Sequence, residues 1–260
     1  GEENYPNTNI RLTQLEQHIN ELKTGLYNVM PVSKILSSIQ KNKPLPERTV
    51  GITVDDAYKS VYEEAWPRFK ASGLPFTVFV STGMVDDNAK GHLNWDQVRE
   101  MQNGGVEFGA HTVSHLHMTN TQRFENEAEI FKSNSRISVE LGKPPTLFAY
   151  PYGEASSEVF DIISSSGYKF AFGQHSGVVH KSSNMIYLPR FSLNERYGNL
   201  KRFKLVVNAL PFPVSGFTPQ NPLLAKANPP NVGFTVGPAL KSLNRISCFT
   251  NNEGRVSTTV

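Results

Sequence analysis

Val50-Gly51-Ile52-Thr53-Val54-Asp55-Asp56 is the stretch that decides the fold, because a short apolar run ends here in two adjacent carboxylates. An apolar, β-branched run of this length predicts a buried strand. Similar runs recur along the chain, and most are far enough apart for a helix to fit between them. The predicted strands are Val50–Val54, Pro75–Val80, Val106–Ala110, Thr146–Tyr150 and Lys169–Phe172.

Segments with helical periodicity separate most of these strands. They are Lys59–Ser72, Asn94–Asn103, Thr121–Leu141 and Ser156–Ser166. Alternation of strands and helices predicts a parallel sheet with helical crossovers. Over about 200 residues the natural closure is a (β/α) barrel, with eight units or fewer. We therefore expect an α/β fold with this barrel at residues 46–210.

Two flanking segments differ from this pattern. The N-terminal segment 1–45 predicts a helix with one apolar stripe, and we expect it to pack on the barrel. From about Pro211 onward prolines become dense and helical periodicity stops. Because Gly233–Val236 and Arg245–Phe249 resemble short strands, we expect residues 211–260 to form a small β-rich appendage.

Composition and charge narrow the classes of function. Of the 260 residues, 38% are hydrophobic and 19% are charged, and the net charge is +3. These values are typical of a folded domain. The basic residues are scattered, which argues against nucleic acid as a partner, and no apolar run reaches the ~18 residues of a membrane span. The single Cys248 excludes an intrachain disulfide and a cysteine-based zinc site.

Polar clusters follow three of the predicted strands. Asp55 and Asp56 follow the first strand, His111 and His115 the third, and Pro151–Gly153 the fourth. In a (β/α) barrel the carboxyl ends of the strands face one site, so we expect these clusters to meet. The two histidines are four residues apart, and we expect them to share one face of a helical turn.

Each cluster alone has a simpler explanation. An aspartate pair after a strand is commonly a helix cap or a turn, histidines at this spacing can be surface residues, and an aromatic loop can be core packing. Together the clusters provide three ligands for a divalent metal and one spare carboxylate. This set predicts a metal-assisted hydrolase, in which the metal activates water and the spare carboxylate takes its proton.

The order of these clusters resembles the motifs of a known family. Thr53-Val54-Asp55-Asp56, then His111-Thr112-Val113-Ser114-His115, then Phe148-Ala149-Tyr150-Pro151-Tyr152-Gly153 are similar to those of the polysaccharide deacetylases, the NodB-homology or carbohydrate esterase family 4 enzymes. The resemblance runs from about Val50 to Arg190. It is closest to the branch that includes the poly-N-acetylglucosamine deacetylases.

The resemblance implies a deformed (β/α) barrel of the NodB-homology type and a role for each matched residue. Asp55 would be the general base. Asp56, His111 and His115 would hold Zn²⁺ or another divalent ion such as Co²⁺ or Ni²⁺. The Tyr152 backbone N–H would stabilise the oxyanion while metal-bound water removes acetyl groups from N-acetylated amino sugars of a polysaccharide or oligosaccharide.

Two departures from the family pattern concern residues around the base. Many members have an arginine where this chain has Ala149, and we expect Arg190 to steady Asp55 instead; the alternative is an ordinary structural ion pair. The usual late Leu-x-His motif is not evident. His175 is therefore the candidate for protonating the leaving amine, and the alternative is a surface histidine.

Substrate contacts and rival functions complete the expectations. Tyr150, Pro151, Tyr152 and Trp95 offer rings or a rigid loop to a sugar, although a tryptophan at a helix start is more often a core residue. The same machinery cleaves esters, so an O-acetyl polysaccharide esterase is the alternative activity. A catalytically weak carbohydrate-binding scaffold is a second alternative, because the proton donor is unassigned.

The compartment has two alternatives at this stage. The first residues lack the basic and apolar regions of a signal peptide. The protein is therefore cytoplasmic, or its leader is absent from this chain. A polysaccharide substrate favours a secreted or periplasmic protein, and we expect this. The sequence predicts no particular oligomeric state.

Overall fold

The computed structural model describes residues 6–212, 214–224, 229–237, 246–250 and 254–257. The chain divides into two compact units. The first unit consists of Gly1–Phe212 and Asn221–Leu223, and the second consists of Pro213–Gln220 and Leu224–Val260.

A sheet of five parallel strands forms the centre of the first unit. A separate parallel pair precedes it, in which β1 (Asn28–Val29) pairs with β2 (Thr49–Val50). The strands of the main sheet are β3 (Thr53–Val54), β4 (Thr77–Val80), β5 (Glu107–Ala110), β6 (Leu147–Ala149) and β7 (Phe170–Phe172), in this spatial order. A further parallel bridge joins Phe172 to Leu188 beyond β7.

The spatial order of these strands equals their order in the chain. Each crossover therefore steps to the next neighbour in the same direction, and right-handed crossovers then place the helices on one face. A doubly wound sheet would instead reverse direction at a switch point. The sheet therefore curls as part of a (β/α) barrel.

Eight α-helices lie in the part of the first unit that the structure describes. They are α1 (Leu12–Thr24), α2 (Val32–Gln40), α3 (Trp66–Ala71), α4 (Thr82–Asp86), α5 (Trp95–Asn103), α6 (Arg123–Leu141), α7 (Ser157–Ser165) and α8 (Leu200–Val207). A π-helical turn at Val61–Ala65 precedes α3, and single 3₁₀ turns form at Met118–Asn120 and Pro151–Gly153. No helix among the described residues is both long and apolar enough to cross a membrane.

Local chemistry explains where several helices begin. The Asn94 side chain accepts a hydrogen bond from the Gln97 N–H, which caps α5, and Asn199 caps α8 in the same way. Pro67 lies in the first turn of α3, where its missing N–H costs no helical hydrogen bond. The predicted helix over 59–72 is therefore divided into a π-helical turn and an α-helix.

The core of the first unit lies between the sheet and its helices. All four residues of β4 are buried, as fits a central strand covered on both faces. Helix α1 joins this unit through Ile19, which lies in the core, and through His18. The His18 ring stacks on Phe203 of α8 at 4.0 Å, and its Nε2 lies 2.7 Å from the Gly198 carbonyl oxygen.

The second unit contains two antiparallel pairs among its described residues. β8 (Val214–Thr218) pairs with β9 (Gly233–Val236), and β10 (Cys248–Thr250) pairs with β11 (Gly254–Val256). The predicted strand at 233–236 forms. The predicted strand that starts at Arg245 is described only from Ile246 onward, and Arg245 itself lies outside the described residues.

Candidate metal centre and active site

The carboxyl ends of neighbouring strands deliver the candidate site residues. Asp55 and Asp56 directly follow β3, and His111 directly follows β5. Tyr152 lies three residues after β6, and Arg190 lies two residues after the bridging residue Leu188. The predicted clusters therefore come from one edge of the sheet.

Asp56, His111 and His115 converge on one point. One ligand atom from each lies within 4.8 Å of the other two. Asp56 Oδ1 is 3.4 Å from His111 Nε2 and 3.3 Å from His115 Nε2. Zinc bonds of about 2.0–2.1 Å at tetrahedral angles separate neighbouring ligand atoms by roughly 3.3–3.4 Å. The two separations from Asp56 therefore fit those between neighbouring ligands of a tetrahedral metal ion.

The surroundings of His111 provide a second test of this fit. Its ring is fully buried, and Nδ1 lies 2.7 Å from the Ala149 carbonyl oxygen. Because a carbonyl only accepts, Nδ1 carries the proton and Nε2 keeps its lone pair. That Nε2 is buried without a hydrogen-bond partner among the described residues. An orphaned basic nitrogen facing a carboxylate and a second imidazole suits a divalent ion such as Zn²⁺, Co²⁺ or Ni²⁺.

The two histidines meet by a different route from the one predicted. Residues 111–117 form no helix, so the predicted helical turn is wrong. Thr112 and His115 instead adopt left-handed backbone, with φ of 64° and 55°. The Thr112 hydroxyl accepts a hydrogen bond from the His115 N–H at 3.0 Å and closes the turn. The two imidazoles therefore come together through a turn with two left-handed residues.

Asp55 stands apart from the three ligands and is held by Arg190. The guanidinium donates from Nη1 to Oδ1 at 2.7 Å and from Nη2 to Oδ2 at 2.8 Å. Arg190 also donates to Thr53 Oγ1 at 3.1 Å and to the Gly173 carbonyl at 2.8 Å, which fixes its own orientation. Burial alone would raise the pKa of Asp55, but the charge and hydrogen bonds of Arg190 bring that pKa below its usual value. Asp55 is therefore ionised at neutral pH.

Tyr152 occupies the tip of the loop after β6. Its φ is 59°, and its side chain is 45% exposed. The ring stacks on His117 at 3.8 Å and meets the His115 ring edge-on at 4.5 Å. His117 Nδ1 lies 2.9 Å from Glu154 Oε2. No pattern in the sequence links His117 to Tyr152.

The other residues expected to contact a sugar are buried. The Tyr150 ring lies in the core, and its hydroxyl donates to the Ile186 carbonyl at 2.8 Å. Pro151 is also buried, and Trp95 donates from its indole N–H to Asp86 at 2.6 Å. Because Tyr150, Pro151 and Trp95 are buried, direct contact with a sugar is disfavoured for them. Tyr152 is the residue of this set that we include in the proposed substrate site.

His175 lies near Arg190 rather than among the metal ligands. Its backbone carbonyl accepts from the Arg190 N–H at 2.9 Å, and its ring packs on Tyr187 at 4.4 Å. Partial burial of the ring, and then the charge of Arg190, lower the pKa of His175. The imidazole is therefore neutral at neutral pH, which disfavours the predicted role as proton donor.

Comparisons with known proteins find relatives that are named as polysaccharide deacetylases. The sequence profile described as polysaccharide deacetylase matches residues 42–171. The protein YxkH of Bacillus subtilis (strain 168) is 24% identical over 177 residues, 68% of this chain and 63% of that protein. The poly-beta-1,6-N-acetyl-D-glucosamine N-deacetylase of Staphylococcus aureus (strain MSSA476) is 27% identical over 201 residues, 73% of this chain and 69% of that protein. The chain thus spans about two thirds of the length of these relatives.

A solved structure shares the fold. The Streptococcus pyogenes deacetylase PplD in complex with acetate has a TM-score of 0.74 and 20% identity, over 80% of this chain and 93% of that chain. This likeness confirms the predicted deformed (β/α) barrel of the NodB-homology type. The profile match covers half of the chain, and the chain belongs to the polysaccharide deacetylase family, as its three motifs predicted.

Proposed function

We propose that this protein is a metal-dependent deacetylase that hydrolyses the acetamide groups of N-acetylated amino sugars in a polysaccharide or oligosaccharide. One observation carries the proposal. The Asp55 carboxylate is held by Arg190 and kept out of the cluster formed by Asp56, His111 and His115. A site that only binds metal or sugar has no need of this separate, ionised carboxylate.

The three clustered ligands define what chemistry a metal would add. Asp56, His111 and His115 would hold a divalent ion such as Zn²⁺, Co²⁺ or Ni²⁺, which when bound supplies a Lewis acid for the acetyl carbonyl and the attacking water. Asp56 and the two neutral imidazoles present one negative charge to a doubly charged ion. The set therefore leaves net positive charge for the developing oxyanion.

Asp55 moves the proton. Because it is ionised at neutral pH and oriented by two hydrogen bonds from Arg190, it accepts the proton of the attacking water. The same proton is then available for the leaving nitrogen when the tetrahedral intermediate collapses to a free amine and acetate. Asp55 can therefore serve both steps, and the role of His175 in the second step stays a prediction from sequence.

Tyr152 faces the substrate. The Tyr152 ring contacts the ring of His115, and we assign the Tyr152 backbone N–H to the developing oxyanion. The Tyr152 ring is partly exposed, and one of its faces stacks on the His117 ring. A ring held in this way suits stacking against a sugar. An acetylated polysaccharide substrate favours a secreted or periplasmic protein, and we retain this expectation.

Acetate release tests this proposal directly. Metal-stripped protein and protein reloaded with Zn²⁺, Co²⁺ or Ni²⁺ would be incubated with N-acetylglucosamine oligomers and, in parallel, with acetylated xylan. We expect metal-dependent release from the amide substrate that is lost in Asp55→Asn and in His111→Ala. Release from the ester alone would identify an O-acetyl esterase. Metal binding without any release would favour the inactive carbohydrate-binding scaffold.

A further inference from the structure

Glu129 reaches from α6 to the loop that carries both histidine ligands. Its Oε2 accepts hydrogen bonds from the backbone N–H groups of Val113 and Ser114, both at 2.9 Å. Its Oε1 accepts from the Ser114 hydroxyl at 3.2 Å. Two successive backbone N–H groups directed at one anion form a nest, a geometry that binds carboxylates well.

The opposite side of the same loop is held by the start of α4. The Thr112 carbonyl accepts from the Thr82 N–H at 3.1 Å, and the Val113 carbonyl accepts from the Gly83 N–H at 2.9 Å. Glu129 satisfies the outward N–H groups, and α4 satisfies the carbonyls. The segment between the two ligands is therefore fixed from both sides.

This double attachment matters because the loop conformation is unfavourable by itself. Thr112 and His115 both lie in the left-handed region, which non-glycine residues adopt only when their surroundings enforce it. Nε2 of His111 and Nε2 of His115 lie 3.4 Å and 3.3 Å from Asp56 Oδ1, and the segment that runs from one histidine to the other contains both left-handed residues. Without Glu129, the N–H groups of Val113 and Ser114 would lose their acceptor and the loop could relax.

We infer that Glu129 is a positioning residue that sets the angle between the two histidine ligands and thereby the affinity of the site for its metal. This inference rests on the proposed metal-dependent function. Glu129 contacts neither histidine ring in the hydrogen bonds described, so it acts through the backbone between them. Outer groups that orient metal ligands typically change affinity by about 10- to 100-fold when removed.

The experiment compares Glu129 with its neighbour one helical turn away. Glu125 lines the same cavity of about 390 Å³ as Glu129 and has the same charge. Glu125 serves the cap of α6, a role that glutamine also fills, so Glu125→Gln is the matched control. The variants Glu129→Ala and Glu129→Gln would be measured beside it, and Ser114→Ala would remove one of the three contacts without changing charge.

Three readouts separate positioning from general stability. Zinc affinity would be measured by competition with a chelator, and the visible spectrum of the cobalt-loaded protein would report ligand geometry. Amide hydrogen exchange in the metal-free protein would follow Val113 and Ser114. We expect roughly 10- to 100-fold weaker zinc binding and an altered cobalt spectrum in Glu129→Ala, with a smaller loss in Glu129→Gln. We also expect faster exchange at both amides, and values within twofold of wild type for Glu125→Gln.

The outcomes separate this inference from the proposal beneath it. If the wild type binds zinc and the folded Glu129 variants bind it equally tightly, the inference is overturned but the proposed function is not. Equal weakening by Glu125→Gln overturns it as well, because the effect would then be one of charge. Absence of zinc binding by the wild type overturns the proposed function together with the inference. If Glu129→Ala does not fold, Glu129→Gln and Ser114→Ala decide by the same three readouts.

Discussion

Replacing Arg190 by methionine tests how the base is held. The guanidinium makes four hydrogen bonds, two of them to Asp55, and the two side chains are only 13% and 21% exposed. Removing one partner of a buried ion pair typically costs about 3–5 kcal/mol. Because a fifth of Asp55 reaches solvent, we take the lower end, about 3 kcal/mol. At roughly 2–4 °C per kcal/mol for a chain of this size, the Tm should fall by about 6–12 °C.

The cost should also depend on pH, with a sign that follows from Asp55. Its folded pKa is lowered, so the pair stabilises the protein above the ordinary carboxyl pKa, and this contribution is lost as the pH falls through the folded value. In Arg190→Met the two largest causes that lower the Asp55 pKa are lost, so burial, which raises this pKa, is opposed only by the nearby His111 and His115. The difference in unfolding free energy between wild type and variant should therefore be largest at neutral pH and shrink below about pH 4.

The assays are thermal unfolding at pH 7 and at about pH 3, and acetate release at pH 7. We expect acetate release to fall at least ~100-fold, because the base is no longer oriented. Arg190→Lys should be intermediate, since an ammonium replaces the charge but not the two parallel hydrogen bonds. The control Arg123→Met removes an exposed pair with Glu127 and should change stability by less than ~1 kcal/mol. If Arg190→Met had a Tm within about 2 °C of wild type and released acetate at the wild-type rate, the reasoning would be refuted.

Three further predictions address the base, the packing of α1 and the loop after β6. Asp55→Asn should bind zinc as tightly as wild type yet release acetate at least ~100-fold more slowly; weakened zinc binding would instead make Asp55 a ligand. Burial, only partly offset by the Gly198 carbonyl, lowers the pKa of His18, so wild type should lose stability relative to His18→Gln as the pH falls below 6.5. Denaturant unfolding at pH 7.5 and 5.5 measures this, and a pH-independent difference contradicts it. In Gly153→Ala the new Cβ would lie 2.6 Å from the Gln174 backbone nitrogen, and residue 153 has a φ of +71° that alanine rarely adopts. The Tm and the rate of acetate release should therefore both fall. If both values were unchanged, the loop after β6 would have to accommodate the added methyl group, which contradicts the prediction.

The sheet and the identity of the ligands could be predicted from the sequence for a simple reason. Buried parallel strands are continuous apolar runs, and polar residues directly after them must lie at the edge where barrels carry their sites. Asp55, Asp56 and His111 follow this rule without any further information. Helix α8 was missed although Asn199 supplies an ordinary cap signal, because the segment lies beyond the regular alternation.

The route by which the ligands meet was not predictable. Left-handed backbone at Asp56, Thr112, His115 and Tyr152 is enforced by tertiary contacts, and nothing in the composition of these segments indicates it. Glu129 belongs to a helix with several other charged residues, where a glutamate usually faces solvent. Long-range pairings of such residues become visible only when the fold brings the two elements together.

Other site residues show the same division between local pattern and tertiary contact. Trp95 and Tyr150 have the ring chemistry of sugar-binding residues, but the fold uses them to fill the core. Arg190 and Asp55 are 135 residues apart in the chain, and only the family comparison suggested their pairing before the structure. Residue type therefore predicted the chemistry better than it predicted the partner of each residue.

Titration of metal-stripped protein with zinc, with acetate release from N-acetylglucosamine oligomers followed at each addition, tests the central claim most directly. The account predicts that release is negligible in the stripped protein, rises linearly and reaches a plateau at one equivalent. Asp56, His111 and His115 are the one cluster of this kind within the described part of the chain. Full release by stripped protein would contradict it. So would one tightly bound equivalent of zinc that supports no acetate release from any acetylated sugar.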